Sequence, residues 1–129
     1  MRAIRHLRVW LAHHSLGRKR VPVGCDQLLE RSRTALRAGR LDLATAFVME
    51  AGDGVWKNAA CLNVLGLIAE ARNDWPQARR MWSRAMRADP QYQPPRQNLR
   101  RYFELFEFGR STQPVAFGDE SPATSSVSL

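Results

Sequence analysis

A self-similarity at a spacing of 34 residues is the feature that most restricts how this chain can fold. Sliding the sequence against itself by that distance, without a gap, pairs Leu28 with Leu62, Ser32 with Gly66, Ala35 with Ala69 and Gly39 with Asn73. The register continues through Leu41 and Trp75, Ala44 and Ala78, Val48 and Trp82, and Ala51 and Ala85. Small residues recur where two elements must cross closely, and each turn holds a residue type that tolerates positive φ. A large apolar residue after each turn plugs the gap between elements. A repeated unit of this size cannot bury its apolar face alone, so it must stack on a neighbour.

Within each copy the apolar spacing is helical. Leu28, Ala35 and Leu36 mark one helix, interrupted at Gly39, and Leu41, Ala44, Val48 and Ala51 a second that ends near Gly52–Asp53–Gly54. A third covers Ala59 to about Arg72, with Leu62, Leu65, Gly66 and Ala69 on one face. A fourth runs from about Trp75 to Ala88, with Asp74 as N-cap, Pro76 in the first turn and a stop before Asp89–Pro90. A fifth occupies residues 93–108, where Pro94 and Pro95 suit the start and Leu99, Tyr102, Phe103 and Phe106 form a stripe. No segment alternates with period two over a useful length. The expected fold class is all-α.

These residues carry a family resemblance. In the second copy, Ala59–Tyr92, Leu65–Gly66, Asn73–Asp74–Trp75, Ala78, Trp82, Ala85 and Asp89–Pro90 resemble a tetratricopeptide repeat. The first copy, Cys25–Asn58, has Gly39–Arg40–Leu41, Ala44, Val48 and Ala51, but carries Arg31 at a usually apolar position and Trp56 in place of the closing proline. The resemblance implies helix–turn–helix repeats, 25–58 and 59–92, stacked as a short right-handed αα superhelix and closed by a solvating helix at 93–108. Two repeats fall short of the three or more, roughly, that bury a continuous core, so both ends need caps.

The formal charge is +8, but residues 1–20 hold Arg2, Arg5, Arg8, Arg18, Lys19 and Arg20 and no acid. The other 109 residues carry 14 bases against 12 acids. The basicity therefore belongs to one terminal segment, where Ile4, Leu7 and Leu11 fall at helical spacing and predict a short amphipathic helix. Val21–Pro22–Val23–Gly24 reads as a linker. Residues 109–129 contain seven Ser/Thr, two Gly and two Pro, a composition that predicts a disordered tail. No apolar run approaches the roughly 20 residues of a membrane span. Two cysteines form no disulfide framework, so a reduced, cytoplasmic setting is expected.

No catalytic or metal constellation emerges. His6, His13 and His14 all lie in the basic segment, where positive charge opposes a cation. No phosphate loop or nucleophile elbow is present. The expectation is a monomeric, non-catalytic adaptor without cofactor or metal. By resemblance, the first helix of each repeat lines a groove that takes a peptide or partner helix, here through Leu29, Arg33, Leu36 and Arg37 from one copy and Asn63, Leu67 and Glu70 from the other. Leu29 and Val64 stand where some family members clamp a terminal carboxylate with Lys and Asn, which argues against that ligand. The alternative is a peripheral binder acting through Arg2, Arg5, Arg8, Arg18, Lys19 and Arg20 on an anionic membrane or, less favoured, nucleic acid. The same arginine-rich segment also has the character of an organelle presequence.

Overall fold

A computed structural model describes residues 24–120. Five α-helices follow one another: α1 (Cys25–Arg37), α2 (Leu41–Met49), α3 (Ala59–Ala71), α4 (Trp75–Ala88) and α5 (Pro94–Phe108), with a 3₁₀ helix, Gly52–Lys57, between α2 and α3. Among the described residues there is no strand. The basic segment 1–20 and residues 21–23 of the linker lie outside the described residues.

Both α-helical hairpins turn in the same way, one repeat length apart. Gly39 adopts φ +75° and Asn73 φ +61°. Behind them, Arg40 N–H donates to the Ala35 carbonyl at 2.9 Å and Asp74 N–H to the Ala69 carbonyl at 2.8 Å. The shorter bonds, Gly39 to Leu36 and Asn73 to Glu70, also correspond. These are Schellman-type endings, in which a left-handed residue lets the chain satisfy the last carbonyls of one helix while reversing into the next. Gly meets the need because it has no Cβ, and Asn because its short polar side chain tolerates the conformation. Asp74 then caps α4 by accepting from Gln77 N–H at 3.2 Å, and Asn58 caps α3 by accepting from Cys61 N–H at 3.0 Å.

Each helix packs on the next in sequence, and α3 also touches α1 and α5. The helices therefore form two layers, α1, α3 and α5 in one, α2 and α4 in the other. α3 is covered almost all round: of its residues only Ala71 is exposed. Its sequence, rich in Ala, Leu, Val and Ile on every side, is that of a helix at the centre of a fold. α4 instead buries one line, Ala78, Met81, Trp82 and Ala85, and turns its arginines outward. Trp82 is fully buried, and its indole N–H donates to the Asn63 carbonyl at 3.2 Å.

Two expectations need correction. The stripe of the last helix, expected to cover Trp82 and its neighbours, faces inward only in part: Leu99 and Tyr102 pack on the core cluster that contains Trp82. Phe103 and Phe106 are exposed, and the buried residues of α5 are Pro95, Asn98 and Arg101. Tyr102 and Phe106 also meet Trp75, with ring centroids 6.0 and 6.4 Å away. The helix is rotated so that a polar line faces inward, because that line has hydrogen-bond partners waiting for it.

Nor do residues 110–120 behave as the disordered tail expected from Gly109 onward. Gly109, at φ +74°, ends α5, and the chain then runs back in irregular conformation over α1, α3 and α5. Composition misjudged this stretch because it counts apolar area. The segment is held mainly by hydrogen bonds from buried side chains to its backbone. Residues 121–129 of that expected tail lie outside the described residues.

Candidate functional site

The segment Pro114–Glu120 lies across α1, α3 and α5. Asn98, fully buried on α5, sits at its centre. Its side-chain amide donates to the Ala116 carbonyl at 2.8 Å while its oxygen accepts from Ala116 N–H at 3.1 Å. Both polar groups of one backbone residue are thus met by one amide. Asn63, also fully buried, donates to the same Ala116 carbonyl at 3.0 Å and accepts from Asn98 at 2.8 Å. Arg101 donates to the Asn98 oxygen at 3.2 Å and holds Glu70 with two bonds of 2.8 and 2.7 Å. A guanidinium can only donate, so its bond identifies the Asn98 oxygen and fixes the amide's orientation.

Toward α1 the contacts become charged. Arg33, only 7% exposed, donates to the Phe117 carbonyl at 2.9 Å and to the Tyr92 hydroxyl at 3.5 Å. Arg37 clasps Asp119 with bonds of 2.6 and 2.7 Å, and its guanidinium also lies 4.0 Å from the centre of the Phe117 ring. The Asp119 carboxyl is consequently held below its usual pKa, mainly by the hydrogen bond from Arg37 and against some burial. The Tyr92 phenol is pushed up by burial, opposed by the nearby Arg33. Gln97 donates to the Pro114 carbonyl at 2.7 Å. Among the described residues, no buried side-chain nitrogen or oxygen lacks a partner.

The residues expected to line a groove divide into two sets. Arg33, Arg37 and Asn63 bond the segment, and Glu70 holds Arg101, which braces Asn98. Leu29, Leu36 and Leu67 are buried in the core cluster beneath the segment, on which Phe117 packs. They form the floor and present no specific contact. Sequence reasoning missed Tyr92, the last residue of the second copy, and Asn98 and Arg101 beyond it. A signal existed: Pro95, Asn98 and Arg101 follow one another at three-residue spacing, but the stronger aromatic stripe beside them took precedence. Arg2, Arg5, Arg8, Arg18, Lys19 and Arg20 lie outside the described residues.

On the opposite layer, Arg84 lies 5.3 Å from the centre of the Trp56 ring, beside Lys57 and Arg87. Trp56 is 38% exposed there. Cys61 is buried and its thiol is pushed up to about 11 by that burial, whereas Cys25 is exposed. Among the described residues, no three His, Cys, Asp or Glu side chains converge as metal ligands, and no helix is long and apolar enough to cross a membrane. Comparison of the chain with protein-family models, with curated proteins and with solved structures finds no match.

Proposed function

We propose that the chain is a small adaptor of tetratricopeptide type, without catalytic activity, that binds an extended segment of another protein in the groove between α1, α3 and α5. The observation that carries this reading is Asn98, buried and oriented, bonding both backbone groups of Ala116. Such a contact recognises extended chain as such. A helix could not satisfy it, because its own backbone N–H and C=O groups are already paired. An extended peptide is therefore the better-supported ligand of the two that the resemblance suggests. The matching turns at Gly39 and Asn73 and the contacts of α3 with both α1 and α5 support the repeat class. The groove chemistry, more than the fold, supports the function.

The test is a random peptide display library panned against the full chain carrying Ala116→Arg. Ala116 is 5% exposed, so the larger side chain drives the chain's own segment out. Peptides should be enriched, and their binding should be lost when Asn98→Asp replaces two donors with acceptor oxygens. If no peptide is enriched while helicity and melting stay intact, the reading is wrong.

A further inference from the structure

We infer that the groove's partner is an acidic peptide in the order small, aromatic, glycine, acidic, and that Ala116–Asp119 occupies that place in cis until such a peptide displaces it. The inference rests on the groove reading above and adds its specificity and its control.

Each position of the order follows from a contact. Ala116 is enclosed between Asn63 and Asn98, with no space for a larger side chain. At the next position the Phe117 ring packs on the core cluster below and under the Arg37 guanidinium above, a cation–π pairing that an aliphatic side chain cannot reproduce. Gly118 has φ +99°, and a Cβ there would run into the Tyr92 hydroxyl and come within 2.8 Å of Arg33. Only glycine fits. Asp119 takes both donors of Arg37, and the Glu120 carboxylate accepts from the Phe117 and Gly118 N–H groups at 2.6 and 2.8 Å, closing the turn. Arg33 adds charge selection. Among the described residues it forms no ion pair of its own, and its charge adds to that of Arg37 in favouring a carboxylate at the last position.

The segment is also placed to compete. Only Gly109–Gln113 separates it from the end of α5. A tether this short gives a local concentration on the order of 1 mM, enough to weaken a free peptide with a Kd of about 10 µM by about 100-fold. A partner must therefore bind more tightly than the chain's own sequence, or arrive tethered at a second contact.

The probe is a fluorescent synthetic peptide with the sequence Gln113–Glu120, titrated by anisotropy into the full chain. Ala116→Arg should bind it about 100-fold more tightly than the unsubstituted chain, by the same tether arithmetic. Asp119→Lys, at the exposed mouth of the groove, should gain about tenfold, the weight of one charge-assisted pair. This second variant keeps the test decisive if the first does not fold. A probe with Ala in place of the glycine should lose at least about tenfold, from the backbone strain alone. Equal affinity of the unsubstituted chain and both variants overturns the competition in cis. Binding that ignores the order of the probe's residues overturns the acidic motif and leaves the groove reading standing. A dimer of the unsubstituted chain that Asp119→Lys dissociates assigns the segment to a second copy, which also overturns the cis arrangement. Failure of a folded variant to bind any peptide removes the groove reading as well.

Discussion

In the hairpin of α1 and α2, the Ser32 hydroxyl donates to the Ala44 carbonyl at 2.7 Å, and Val48 is fully buried. In the hairpin of α3 and α4, 34 positions later, Gly66 leaves room for the whole indole of Trp82, and a Cβ at Gly66 would collide with the ring. The turns that join the helices are nevertheless the same. Backbone reversal depends on one left-handed residue and a set of main-chain bonds, which either core accepts. Core volume is divided separately in each hairpin, medium against medium in one and none against large in the other. The two solutions are coupled pairs, and exchanging single members should break them.

The largest effect is expected at the large partner. Trp82→Ala should cost about 3–5 kcal/mol in urea denaturation, enough to threaten a small domain. Its counterpart Val48→Ala removes two methyl groups and should cost about 1.6 kcal/mol at ~0.8 kcal/mol each. Similar losses at the two sites would show that the hairpins do not divide volume as described.

Next comes the exchange itself. Gly66→Ser with Trp82 retained overpacks the second hairpin and should destabilise by about 1–3 kcal/mol. Adding Trp82→Val imports the first hairpin's pair, so the double variant should be more stable than the two single losses summed. A coupling energy near zero in that cycle would refute the pairing.

The shared turn gives a smaller contrast. Gly39→Ala forces a side chain into the left-handed region and should cost about 1–2 kcal/mol. Asn73→Gly, which substitutes one turn residue for the other, should change the melting temperature little, although it removes the bond from the Trp75 indole to the Asn73 side chain. If Gly39→Ala is neutral, the turn is not the common element.

The smallest effect concerns how the C-terminal segment loads the two hairpins. Its charge contacts fall on α1 through Arg33 and Arg37, whereas α3 supplies the amide of Asn63. The carboxyl of Asp119 is lowered in the folded chain, so its contribution is present above the unfolded pKa of about 4 and is lost as pH falls through the lower folded value. Acidification should therefore loosen Asp119 from α1 first, read as a shift in the Phe117 ring resonances. The Ala116 amide, bonded to the uncharged Asn98, should keep its protection from exchange over the same range. Simultaneous release of both would show that the segment is a single unit.

Much of the helical order was readable in advance, for identifiable reasons. Gly39, Asn73, the Asp74 cap and the Asp89–Pro90 stop are local signals, each acting within a few residues. The central position of α3 was implicit in its apolar character on every face. Of the residues around the segment, Arg33, Arg37 and Asn63 had been named through the family resemblance, whereas Asn98 and Arg101 lie beyond the second copy and had no register to place them. The segment 114–120 was misjudged because its partners, buried amides and arginines, lie up to 84 residues away in sequence.

The sequence by itself determined the helices, their turns and the small and large positions that let them cross, because these depend on local backbone conformation and on periodicity. The rotation of α5, the choice of its polar line as the buried one, and the return of Ala116 and Phe117 into the groove were decided only in three dimensions. Burying Asn63, Asn98 and Arg101 is tolerable only when every donor and acceptor is met. Those partners come from α3, α5 and a distant stretch of backbone, and they coincide only once the chain has folded.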